Sequence, residues 1–100
     1  MKFSYLKSKY DIVITSKFKK DYKRIIKQNK DKGKLVYVLE VLANGELLDF
    51  QYRDHRLIND KVYKNCRECH IEPDWLLIYR YDGLTLLLLA MGSHSELFDL

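Results

Sequence analysis

The sequence predicts an α+β domain in which an N-terminal strand and a helical hairpin pack on an antiparallel sheet. Three observations carry this prediction. Apolar residues recur at helical spacing from Phe18 to Leu42, the pattern changes to strand-like runs from Val62 onward, and Pro73 and Asp82-Gly83 divide those runs into three. One hundred residues can bury one core but not two, so residues 1–100 are read as a single domain.

Tyr10 to Thr15 alternates and is rich in β-branched residues, which predicts the first strand. Thr15 or Ser16 can cap the helix that follows. Its stripe of Phe18, Tyr22, Ile25 and Ile26 leaves Lys17, Lys20, Lys23, Arg24 and Lys27 for solvent. Asn29 to Gly33 is a polar break. A second helix is expected over about Lys34 to Ala43, with Leu35, Val38, Leu39 and Leu42 inward and Asn44-Gly45 as its stop. Leu47 to Lys61 has no period and should be mostly loop. Tyr63 to Ile71, Trp75 to Tyr81 and Leu84 to Met91 are the predicted meander strands, and Ser95 to Leu100 a final turn or helix.

The net charge of +4 is unevenly spread. Residues 1–34 hold twelve Lys/Arg against three Asp, whereas residues 35–100 hold six against eleven acidic residues. Such an asymmetry steers a chain toward polyanions, nucleic acid above all, although a lysine-rich helix face also serves solubility. No apolar run approaches the roughly 20 residues that cross a bilayer, so no membrane partner is expected. Met1 to Tyr10 is not followed by an apolar stretch with a cleavage site, which argues against a secretion signal. Two cysteines in such a chain imply reduced thiols and a cytoplasmic location.

All three histidines lie in polar clusters: Tyr52-Arg53-Asp54-His55-Arg56, Arg67-Glu68-Cys69-His70-Ile71-Glu72-Pro73-Asp74-Trp75, and Gly92-Ser93-His94-Ser95-Glu96-Leu97-Phe98. RNA cleavage needs a base for the 2′-hydroxyl, an acid for the leaving 5′-oxygen and donors for the phosphate charge. His55, His70, Asp74 and His94 can move protons. Arg53, Arg56 and Arg67 can clamp phosphate or pair with Asp54 or Glu68, while Trp75 and Phe98 can carry bases or close the core. Strand alternation places Cys66, Glu68 and His70 on one face and Arg67, Cys69 and Ile71 on the other. Cys66-Arg67-Glu68-Cys69-His70 matches the haem-attachment pattern only in letters, and thiols on opposite faces do not share a zinc ion. No metal or other cofactor is expected.

Taken together and in this order, the three clusters resemble the YafQ-like toxins of the RelE superfamily, over about residues 11–98. The resemblance implies a microbial-ribonuclease-like fold and cleavage of messenger RNA in the ribosomal A site. It also implies a cognate antitoxin, through which the complex reaches operator DNA. The family's catalytic histidines fall on His55, His70 and His94, its acidic residue on Asp74, and its aromatic residues on Trp75 and Phe98. In the implied roles His70 or His55 helps deprotonate the nucleophile, and His94 or Asp74 assists the leaving oxygen. Relatives commonly carry an arginine four residues before the last histidine, where this chain has Ala90. Either the residue was changed to make a toxic protein tolerable, or Arg80 or Arg67 substitutes for it, or the toxin is naturally weakened. The alternative reading is a non-catalytic toxin-like module that binds nucleic acid or antitoxin.

Overall fold

The computed structural model describes residues 8–98, so most of the Met1–Tyr10 reading and the last two residues of the expected terminal turn lie outside the described residues. In chain order the elements are β1 (Asp11–Ile14), α1 (Ser16–Lys27), α2 (Lys32–Ala43), a 3₁₀ turn (Phe50–Tyr52), β2 (His55–Arg56), β3 (Arg67–Glu72), β4 (Trp75–Asp82), β5 (Thr85–Gly92) and α3 (His94–Phe98). The strands form one sheet in the order β1-β5-β4-β3-β2. β1 runs parallel to β5, and every other pairing is antiparallel.

Three element boundaries differ from the sequence expectation, each for a local reason. α2 begins at Lys32 because the Asp31 side chain accepts from the Gly33 N–H at 2.9 Å, a cap that draws the nominal break into the helix. β3 begins at Arg67 rather than Tyr63. Asp60 Oδ1 accepts from the amides of Val62 and Tyr63, and Asn65 adopts a left-handed φ of 59°, so the chain turns before it extends. His55 and Arg56, read as loop, pair with Glu68 and Arg67 at the sheet edge.

The two faces of the sheet differ. Phe18, Ile25, Leu35, Val38, Leu39 and Leu42 of the helices close over Cys69, Trp75, Leu77, Tyr79, Leu86, Leu88 and Met91. The opposite face holds a smaller cluster of Tyr63, Cys66, Leu76, Ile78, Ala90 and Leu97. Simple alternation along β5 would place residue 90 with Leu86 and Leu88. It does not, because Ile78 pairs with Ala90 and Tyr79 with Leu88, leaving Leu89 as an extra, bulged residue. The bulge inverts the pleat, sending Ala90 to the open face and Met91 to the helices. A second bulge in β3 lies between His70, opposite Leu76, and Glu72, opposite Trp75.

Thr15 ties the β5 bulge to α1. Its hydroxyl donates to the Leu89 carbonyl at 2.7 Å and accepts from the Phe18 N–H at 3.0 Å, so one side chain caps the helix and holds the extra residue. Replacing Thr15 by Ala should lower unfolding free energy by about 1.5–3 kcal/mol, the sum of a lost cap and a lost part-buried hydrogen bond. Thr15→Ser should keep most of it. Urea unfolding of the three proteins measures this, and equal midpoints for Thr15→Ala and the parent would refute the dual role.

Candidate active site

The open face of the sheet brings the histidines together. Glu68 and His70 project from β3 beside Ile78 and Leu76, and β2 sets His55 opposite Glu68. Glu68 is only 4% exposed, and its Oε1 lies 3.2 Å from His70 Nε2 and 3.8 Å from His55 Nε2. The other nitrogens face carbonyls, which only accept: His70 Nδ1 is 3.2 Å from the Pro73 oxygen, and His55 Nδ1 is 2.7 Å from that of Arg53. Each Nδ1 therefore carries a proton, and each Nε2 is turned toward Glu68.

His94 enters from the turn after β5. Its Nδ1 lies 2.8 Å from Asp74 Oδ1, and its backbone N–H donates to the same oxygen at 2.9 Å. These bonds, the backbone one foremost, hold the Asp74 carboxyl below the ordinary carboxylate range, so it is an anionic acceptor at neutral pH. The His94 ring lies 5.5 Å from that of His70, which in turn lies 6.4 Å from that of His55.

The β5–α3 turn is clamped from α1. Asp21, 3% exposed, accepts from the Met91 N–H at 3.0 Å and from Arg24 Nη1 at 2.9 Å, while Arg24 Nη2 donates to the Met91 carbonyl at 2.8 Å. Arg24 Nε is 3.1 Å from Glu96 Oε2, oriented as an ion pair rather than a hydrogen bond. Glu96 Oε1 in turn accepts from the Ser93 N–H at 2.8 Å. A β-carbon on Gly92 would stand 2.9 Å from Arg24 Nη2, so any larger residue would push the guanidinium out of this clamp.

Several predicted residues lie elsewhere. Trp75 is fully buried in the helix-side core and cannot stack a base there, because the β3 bulge and β4 register turn it inward. Arg80 Nε pairs with Asp82 at 2.9 Å near the far end of β4, two residues beyond the Ile78–Ala90 pair. Arg67 leaves β3 on the face opposite Glu68 and pairs with Asp54 at 3.2 Å, beside the Tyr79 hydroxyl that donates to the same carboxylate. Ala90 is buried among Tyr63, Ile78 and Leu97. Phe98 packs edge-on against Tyr63 at 6.1 Å, partly buried. Arg56 lines a separate groove with residues 57–61, and only Arg53 lines the grooves on both sides of the His55–His70 edge.

Two residues of the assembly escaped the sequence reading. Glu68 stands in the sequence only as a surface partner for arginines, although its sharing a face with His70 is the available signal. Asp21 was hidden among lysines, and its being the sole acid of α1 was the signal there. Cys66 and Cys69 are free, buried and on opposite faces, and burial pushes both thiols up, so neither is a metal ligand in this arrangement. Glu68, His70 and His94 instead bring one donor atom each within 4.8 Å of one another, a set with room for a metal ion.

Residues 10–99 match the family described as bacterial toxin of type II toxin–antitoxin system, YafQ. The chain is 38% identical over 89 residues to the mRNA interferase toxin YafQ of Escherichia coli K12, covering 88% of this chain and 95% of that protein. Its fold superposes on the toxin of the E. coli DinJ–YafQ toxin–antitoxin complex with a TM-score of 0.80 at 36% identity, over 90% of this chain and 98% of that one. A metal-bound toxin from Helicobacter pylori gives 0.81 at 41% identity, over 89% and 99%. With nearly its whole length matched, the chain belongs to the YafQ family of bacterial type II toxins.

Proposed function

We propose that this chain is a messenger-RNA endoribonuclease that acts in the cytoplasm on the translating ribosome and is silenced by a cognate antitoxin. The support lies in the convergence of Glu68, His70 and His94, with His94 fixed by Asp74. The named activity of the E. coli relative and the antitoxin bound to its counterpart point the same way.

In the chemistry this arrangement favours, the 2′-oxygen attacks phosphorus while its proton passes to the Glu68–His70 pair. The 5′-oxygen leaves with a proton from His94 Nε2, giving a 2′,3′-cyclic phosphate and a free 5′-hydroxyl. Asp74 stays ionised and orients the His94 ring, so between the two acid candidates the proton donor is His94. His55 supports Glu68 from the sheet edge. A carboxylate with two imidazoles also suits a borderline transition metal; bound at Glu68, His70 and His94, such an ion would supply Lewis acidity. It would also occupy the lone pairs that proton transfer uses.

In a translating-ribosome cleavage assay, His94→Ala and Glu68→Gln should each reduce the rate by about 100-fold or more. Ala90→Arg should raise it, by up to about 1,000-fold where the guanidinium reaches the phosphate. Intact mRNA with both the parent and Ala90→Arg would end the enzymatic reading in favour of a binding module.

Acid should loosen the His94 segment. Asp74 and Glu96 both titrate below their ordinary values of 3.8 and 4.5, Glu96 chiefly through the Ser93 N–H. A depressed folded-state value stabilises the fold above the unfolded value and loses that effect as pH falls through the folded one. Amide protection at Ser93 and His94 should therefore hold at pH 6 and decline below about pH 4, less so in Asp74→Asn/Glu96→Gln. Undiminished protection at pH 2.5 would contradict the anchoring role.

A further inference from the structure

We infer that Phe50 is a stacking platform for one nucleobase of the RNA strand, held in the groove that adjoins His55. The inference rests on the ribonuclease reading and adds a substrate-binding residue to it. Phe50 is 97% exposed and Leu47 is 92% exposed, the two most exposed of the large apolar side chains described. Neither contributes to the core, so the fold does not account for them.

The backbone beneath the ring is fixed. Tyr52 N–H donates to the Asp49 carbonyl and Arg53 N–H to that of Phe50, each at 3.0 Å. Tyr52 turns inward to pack 6.0 Å from the Tyr37 ring, which leaves Phe50 pointing outward from a closed 3₁₀ turn. Arg53 ends that turn with a φ of 48°, a left-handed conformation that a side chain tolerates only at a cost. Its carbonyl then receives His55 Nδ1. One strained turn therefore presents the exposed ring and sets the His55 imidazole. Pre-organisation of this kind reduces the ordering cost of binding.

The groove combines an apolar wall with charges of both signs, of which Arg67 is taken up by Asp54. Leu47 and Phe50 line it together with Arg53, His55 and Arg67. Asp49 and Asp54 line it too, but Asp54 is held by Arg67 and Tyr79. The Arg53 guanidinium has no carboxylate partner among the described residues. Aromatic faces beside unpaired cations are the means by which single strands are held irrespective of sequence, the base stacking and the phosphate meeting the cation. Burial of Trp75 and the partial burial of Phe98 leave Phe50 as the open aromatic face on this side of His55. A protein partner could cover the same ring, but continuity with His55 and the unpaired Arg53 favours RNA.

The test compares the full-length parent with Phe50→Trp, Phe50→Leu and Phe50→Ala, whose exposure makes the fold insensitive to the change. Binding of a non-cleavable 2′-O-methyl oligoribonucleotide and of an apolar-faced antitoxin helix is measured, together with ribosomal cleavage. Phe50→Ala and Phe50→Leu should weaken oligonucleotide binding about 5- to 100-fold. Phe50→Trp should retain it and show quenched indole fluorescence, the native Trp75 being buried. Unchanged oligonucleotide affinity in Phe50→Leu and Phe50→Ala overturns the inference, and weakened helix binding alone would assign the ring to a protein partner. Failure of the parent to bind the strand overturns it as well. Stacking with no cleavage by the parent or by Ala90→Arg would sustain Phe50 as an RNA contact while removing the ribonuclease reading.

Discussion

The extra residue in β5 governs the geometry around it. With Leu89 unpaired, the pleat inverts between Leu88 and Ala90, and the strand leaves the sheet at Gly92 with Met91 facing the helices. The chain then meets Asp21, a carboxylate that would cost several kcal/mol to bury alone. It is not alone: Lys17, Arg24 and the Met91 N–H all donate to it. α1 thus does more than present lysines to solvent, because its inner polar residues fix the direction in which the Ser93–His94 turn departs. His94 owes its orientation to this clamp on one side and to Asp74 on the other.

Orientation of the three imidazoles follows a single chemical rule. Each Nδ1 faces an oxygen that only accepts, two of them backbone carbonyls and one an ionised carboxylate. That fixes the proton on Nδ1 and turns Nε2 of His55 and His70 toward Glu68. His94 alone of the three sets Nδ1 against a carboxylate, whereas His70 and His55 meet theirs, Glu68, through Nε2. Glu68, buried and shared by the other two rings, supplies the accepting side.

Much of this was legible in the sequence because period and punctuation are local. The stripe Phe18–Ile25, the apolar face Leu35–Leu42, and the turns at Pro73 and Asp82-Gly83 each declare themselves within a few residues. The clustering of His55, His70 and His94 was legible for a different reason, as an ordered set of short motifs. What escaped was set by contacts distant in sequence. Thr15 and Leu89 are 74 residues apart, and Asp21 and Met91 are 70 apart, so no window of the sequence announces the bulge or the buried carboxylate. Trp75 failed as a base platform for the same reason: register, not residue type, turned its ring to the helices.

The bulge also explains why residue 90 matters. It carries that position onto the face of Glu68 and His70, so a long cation there would point along the catalytic side of the sheet. The methyl group of Ala90 lets Tyr63, Cys66 and Leu97 close over Ile78. Arg53 is a rim cation without a carboxylate partner among the described residues, standing on a left-handed backbone between the two grooves that flank His55 and His70. The same left-handed turn sets the Arg53 guanidinium, the carbonyl that holds His55 and the outward ring of Phe50, while Tyr52 anchors it to the core.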